Sequence, residues 1–168
     1  GIDDYLEAPD TEALRTNSTL TLSVCVYREP DESLKQGFFE CVLSKSDVLG
    51  EDYRLEISAN HTVGAILRHR HKDGQQIRVP ADPARHNLDV KKWVHIVLVY
   101  DGHLVHTYVD GQRDKTVMAA GGIGITDAPL NIGRCGNGSW HYGFTGRLDD
   151  VLIWNRALTE VEHMRQRI

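Results

Sequence analysis

The stretch Gly143-Phe144-Thr145-Gly146-Arg147-Leu148-Asp149-Asp150-Val151-Leu152-Ile153-Trp154-Asn155-Arg156-Ala157-Leu158 decides how this chain is read. Its centre, Leu148 to Trp154, has the make-up of a β-strand. Side chains alternate between two faces along a strand. Leu148, Asp150, Leu152 and Trp154 are therefore expected on one face, with Asp149, Val151 and Ile153 on the other. Both faces turn apolar towards the end, as in a strand buried between layers. Thr159 follows, with Glu162 three residues on. At that spacing each side chain satisfies a backbone donor at the start of a helix. Val161, Met164, Gln166 and Ile168 make no long apolar stripe, so the helix should run only about two turns.

Upstream, strand signals recur at short spacing with turn residues between them, the pattern of an all-β sandwich. Thr19 to Tyr27 alternates strictly, with Leu20, Leu22, Val24 and Val26 on one face. Strands follow at Phe38 to Leu43, Tyr53 to Ser58 and Val63 to His69. Asp73-Gly74 is a hairpin signal. Trp93 to Tyr100 is the most apolar strand, and Trp93 and Trp154 are expected in the core. Asp101-Gly102 and Asp110-Gly111 flank Leu104 to Val109 and make this part an antiparallel meander. A Gly121-Gly122-Ile123-Gly124 loop precedes Pro129 to Gly133.

These segments resemble a laminin G-like jelly-roll domain of the concanavalin A-like lectin and glucanase superfamily. The closing strand resembles that family's G-x-(I/L)-D-(D/E)-V-x-(I/V)-(W/Y)-N-R-A-L. Trp93 to Gly102 resembles W-x-H-(V/I)-A-x-(T/V)-(Y/F)-D-G, and Tyr108 to Gly111 resembles Y-(V/I)-(D/N)-G. Leu130 to Gly133 resembles L-x-I-G, and Asp4 to Pro9 resembles D-Y-(V/I)-x-(V/I)-P. Cys25 stands where the family often has a core Trp. The resemblance implies one domain over residues 1–168: a two-sheet antiparallel β-sandwich, or jelly roll, with a short C-terminal helix. It implies a module of a larger exported chain, extracellular or at the cell surface. Fold does not settle function, since this architecture hosts glycan binders, adhesion modules and glycan-cleaving enzymes.

Composition narrows the choice. With a net charge of −5 the chain has no basic footprint for nucleic acid; Arg68 to Lys72 and Lys91-Lys92 are its only basic spots. No apolar run approaches the ~18 residues of a membrane span. Three cysteines do not make a disulfide framework, and Cys25 and Cys41, in predicted core strands, are expected as free buried thiols. Asn17, Asn60 and Asn137 stand in N-x-Ser/Thr sequons, which suit surface turns.

Glycan-cleaving enzymes need two carboxylates on one face, and strand spacing places them two residues apart. Asp149-Asp150 and Glu51-Asp52 are adjacent, so each pair should diverge. No nucleophile motif is present, and the chain is expected not to be an enzyme. His69 and His71 could chelate a transition metal but show no third ligand. His95 is expected to be structural. In relatives a structural Ca²⁺ ties the N-terminal strand to the closing strand through hard oxygen ligands, and this implies Asp149 with Asp3 or Asp4.

The loop Arg134 to Tyr142 is the candidate ligand site. Trp140 and Tyr142 offer flat faces for a sugar ring, and Arg134, Asn137 and His141 offer hydrogen bonds. Tyr53 and Arg54 could add to it from a neighbouring strand. The expected partner is a polysaccharide or a glycoprotein glycan, bound by a monomeric module. The other class of reading is a protein-adhesion or structural spacer domain without a small ligand.

Overall fold

Strict alternation gives β2 (Leu20–Arg28), whose Leu20, Leu22, Val24 and Val26 are all buried. In register they lie beside Tyr100, Leu98, Ile96 and Val94 of β7 (Trp93–Tyr100), so both strands turn one apolar face inward. Two hairpins extend this sheet to β8 (Leu104–Val109) and β9 (Gln112–Met118). In the first, Asp101 Oδ1 accepts from the backbone N–H groups of His103 and Leu104. In the second, Asp110 and Gly111 both have positive φ, the turn that matches strand twist. On the other side β2 pairs with β11 (Gly146–Trp154), giving the order β11-β2-β7-β8-β9.

The second sheet runs β1 (Leu6–Ala8), β10 (Leu130–Ile132), β3 (Phe39–Asp47), β4 (Gly50–Ser58), β5 (Val63–Arg68) and β6 (Gln76–Val79). Its neighbouring strands all pair antiparallel, and the non-sequential neighbours make a jelly roll. The computed structural model describes residues 4–16, 18–30, 38–47, 50–68, 76–80, 86–119, 121–136 and 143–165. Leu43, Leu55, Ala65 and Val79 line up across this sheet and meet the inner face of the other. A bulge in β3 between Cys41 and Leu43 turns both Val42 and Leu43 into the core.

The closing strand departs from its expected faces. A bulge between Asp149 and Leu152, with Asp150 at φ 48°, resets the alternation. Leu148, Val151 and Ile153 therefore pack against the core, and Leu152 is exposed. β11 is also an edge strand and not a buried one. Trp154 is half-buried, and Trp93, the first residue of β7, is 45% exposed, so neither is the core residue expected. Cys25, half-buried, is likewise outside the core. For β6 and β9 the sequence announces no bounds, only the Asp-Gly turns ahead of them.

The capping box forms as predicted ahead of α1 (Glu160–Met164), a helix of five residues. Thr21 Oγ1 donates to the Arg156 carbonyl and accepts from Leu158 N–H, holding the tail on the five-stranded sheet. His163, fully buried, stacks on Tyr108 at 4.2 Å between ring centroids.

Two ionic clusters sit inside the sandwich. Lys45 has no exposure; its Nζ lies 2.9 Å from Asp52 Oδ2 and 3.0 Å from Asp10 Oδ1, and donates to the Thr126 carbonyl at 2.8 Å. The Arg15 guanidinium, more than Lys45, holds the Asp10 carboxyl below its ordinary value of 3.8. That contribution to stability is present above 3.8 and is lost as pH falls through the lowered folded value. At the other end Arg28 pairs with buried Glu40, whose second oxygen accepts from Thr145 N–H.

Candidate binding cleft

One edge of the sandwich is open where β1 and β10 approach β11. A cleft of about 430 Å³ lies there. Its walls are Ile132, Phe144 and Leu148, which also pack on the core. Asp4, Tyr5 and Leu6 form its mouth, with Tyr5 43% and Leu6 69% exposed. Gly133 and Gly146 complete it; Gly133, at φ 87°, takes a conformation that side chains disfavour. Phe144 N–H donates to the Gly133 carbonyl at 2.9 Å, so the chain leaves this cleft at Gly133 and returns at Phe144. The loop singled out from sequence is thus rooted on the cleft's rim.

Of that loop, Arg134 is described and Asn137, Trp140, His141 and Tyr142 lie outside the described residues, as do Asp3, His69, His71 and the Asp73-Gly74 turn. Arg134 is already engaged through part of its guanidinium. Its Nε donates to Asn131 Oδ1 and its Nη2 to Glu7 Oε2, both at 2.8 Å, while its guanidinium covers one face of Tyr5. It therefore positions the aromatic at the cleft mouth. Tyr53 does not reach the loop, and Arg54 meets it at Cys135, with Nη1 4.0 Å from Sγ. Tyr53 is buried in the core with its hydroxyl donating to the Leu14 carbonyl. Arg54 pairs with Glu56 and covers Phe39.

A second aromatic surface escaped the sequence reading. Arg147, Tyr27 and Trp93 are register partners across three strands, on the outer side of the five-stranded sheet. The Tyr27 and Trp93 rings are 5.6 Å apart at 59°, and the Arg147 guanidinium lies 5.2 Å from the Tyr27 ring. The available signal was Trp93's place at the very start of its strand, after Lys91-Lys92, where a side chain meets solvent.

Asp149 is exposed, on the outer side of β11 opposite Cys25, and its Oδ1 accepts from Asp150 N–H. Asp4 lines the edge cleft, beside Leu148 of β11. β1 pairs with β10 and not with the closing strand. Among the described residues no group of three or more His, Cys, Asp or Glu is drawn together. Burial, then Asp150, Asp149 and Asp110, raise the Cys25 thiol's pKa, which marks that patch as negative. His95, 5% exposed, shares a 2.7 Å hydrogen bond with Ser23 Oγ, a structural place as expected.

The chain belongs to the concanavalin A-like lectin/glucanases superfamily, whose Laminin_G_3 family model matches residues 1–162. Among solved structures it is similar to the binding domain of Paraclostridial Mosquitocidal Protein 1, with TM-score 0.75 and 16% identity over 96% of this chain and 40% of that one. It is also similar to domain 4 of AbnA, an extracellular arabinanase of family GH43 from Geobacillus stearothermophilus, in complex with arabinotriose. That match has TM-score 0.67 and 15% identity over 96% of this chain and 71% of that one. A third likeness is to the ligand binding domain of Botulinum neurotoxin serotype D in complex with N-acetylneuraminic acid, with TM-score 0.68 and 10% identity over 97% of this chain and 39% of that one. This chain therefore spans about two fifths of the length of the first and third of these proteins. Identities this low establish a shared fold. No curated protein resembles the chain closely enough in sequence to count as a match. Among the described residues no helix is long and apolar enough to cross a membrane.

Proposed function

We propose that this domain is a non-catalytic carbohydrate-binding module of an exported protein, and that it takes its sugar at the edge cleft. The observation carrying this is an exposed aromatic, Tyr5, held by Arg134 at the mouth of a cleft from whose rim the Trp140 and Tyr142 loop springs. A sugar ring presents an apolar face that stacks on an aromatic, while its hydroxyls trade water for protein partners. Asp4 adds a carboxylate to the residues at the same mouth. Fold relatives in complex with arabinotriose and with N-acetylneuraminic acid support the ligand class. Each hydroxyl gains little net, so a dissociation constant of about 0.1–1 mM, or roughly −4 to −5.5 kcal/mol, is expected. A glycan array on the purified domain tests the class. Binding to one or a few related saccharides is expected; a broad array without a hit overturns the proposal in favour of an adhesion or spacer role.

The proposal includes a structural Ca²⁺ on Asp149. Its support is the exposed carboxylate of Asp149, a hard oxygen donor of the kind Ca²⁺ takes. Asp4, and Asp3 before it, come from the chain's start; Asp4 lines the edge cleft. A ligand that binds only the folded state raises its stability by mass action. The melting midpoint should fall in chelator and recover with millimolar Ca²⁺, and Asp149→Asn should abolish that response. A midpoint indifferent to both additions removes the ion from the account.

A further inference from the structure

Two of the three cysteines, distant in sequence, meet in the fold. The strap that follows β10 is laid across β3 by three hydrogen bonds. Gly133 N–H donates to the Val42 carbonyl at 2.8 Å, Ser44 Oγ donates to the Arg134 carbonyl at 3.3 Å, and Gly136 N–H donates to Ser44 Oγ at 3.0 Å. A side chain at Gly136 would overlap the Ser46 carbonyl, so the strap lies directly against β3 with no room for a side chain between them. Cys135, 2% exposed, is thereby set down on the outer face of β3. The β3 bulge brings Cys41 and Ser44 to that same face, and Cys41 is fully buried there. Cys41 and Cys135 are both free, buried thiols in this structure, with Ser44 and Arg54 beside them, and Arg54 Nη1 is 4.0 Å from Cys135 Sγ. Cys25 stands apart, half-buried on the outer side of the other sheet.

We propose that Cys41 and Cys135 form a disulfide that fastens the Gly133–Gly136 strap, and with it the rim of the cleft, to β3. Two thiols buried as neighbours on one face of β3, held there by independent backbone bonds, are placed for the short reach that a disulfide spans. The oxidant is a small-molecule disulfide such as oxidised glutathione. One cysteine thiolate attacks it and a glutathione thiolate leaves. The second cysteine thiolate then attacks the protein sulfur of the mixed disulfide and expels the other. The two cysteines lose two protons and two electrons, and the glutathione disulfide takes both and becomes two thiols. Burial raises the Cys41 thiol well above its ordinary range, against the pull of the Arg54 charge. Exchange therefore takes place while the chain folds, before the strap closes over Cys41.

The test uses the wild-type chain and does not depend on the sugar. The protein is refolded in a mixture of reduced and oxidised glutathione, denatured, and treated with iodoacetamide; intact mass and a non-reducing peptide map are then read. The expected product carries one blocked thiol, at Cys25, and one linked pair of peptides containing Cys41 and Cys135. Its urea midpoint should fall when the bond is reduced, because closing so long a loop restricts the unfolded chain. Cys25→Ser should leave the linked pair unchanged. Three blocked thiols after refolding, or a linkage that includes Cys25, overturns the proposal.

Discussion

Lys45→Ala is expected to cost about 3–5 kcal/mol of folding stability, read as a drop in the urea midpoint. The cause is not the loss of an ion pair as such. Lys45 is turned into the core because its register partners, Tyr53 and Leu130, face inward. Its ammonium is the cation between Asp10 and Asp52, and Asp52 is itself 2% exposed. Asp10 keeps Arg15, but removing Lys45 leaves the Asp52 carboxylate without a cation in a medium that solvates charge poorly. Asp52 would keep only the Thr126 backbone and hydroxyl donors. Since whole domains are stable by about 5–15 kcal/mol, a loss of this size brings the protein close to unfolding. Lys45→Met with Asp52→Asn removes the uncompensated charge along with the cation and should recover part of the loss. A single variant within about 1 kcal/mol of wild type would mean that water reaches the site.

Gly146→Ala should cost about 3 kcal/mol or more. Gly146 opens β11 at φ 149°, in the half of backbone space that side chains rarely adopt. A Cβ there would overlap the Tyr27 carbonyl oxygen and stand 3.1 Å from Arg28 Cα, both backbone atoms that cannot rotate aside. Strain of about 1–3 kcal/mol therefore adds to overpacking of about 1–3 kcal/mol. Gly146 also lines the cleft, so the substitution should disturb that edge as well as the melt. Gly143→Ala is the contrast, because its Cβ would meet nothing closer than the Gly133 carbonyl at 3.9 Å. It should change stability by less than about 0.5 kcal/mol. Equal melting midpoints for the two variants would contradict this account of the junction.

What the sequence made legible was whatever has a simple period. The alternation of β2 announces a strand with one buried face, and the two Asp-Gly turns announce hairpins; both are present. The closing strand was found for its composition, but its faces were misassigned after Asp149. A bulge inserts one residue without changing the apolar pattern, so period-two counting then points to the wrong side. Beyond the Asp110-Gly111 turn that announces it, β9 gave no signal of its own, because its register places charged Asp114 and Lys115 in buried positions, where they do not look like strand residues. Trp93 was misjudged because apolar strands suggest core, whereas a strand's first residue is half outside its sheet. At the site, the rooting of the Arg134 loop beside a cleft was foreseeable in part. The contribution of Tyr5 was not, since it needs β1 paired to β10 and Arg134 turned back over the ring.

The most direct test of the central claim is calorimetric titration of the saccharide selected by the array into wild-type protein and into Tyr5→Ala. Trp140→Ala and Trp93→Ala are run beside it. Stacking contributes about 1 kcal/mol beyond area burial, and truncation also removes the buried area of the ring, so Tyr5→Ala should weaken binding about tenfold or more. Trp140→Ala should do the same, both with melts close to wild type, and Trp93→Ala should bind as wild type does. Unchanged affinity in Tyr5→Ala together with loss in Trp93→Ala would contradict the account and move the sugar to the Tyr27–Trp93–Arg147 surface.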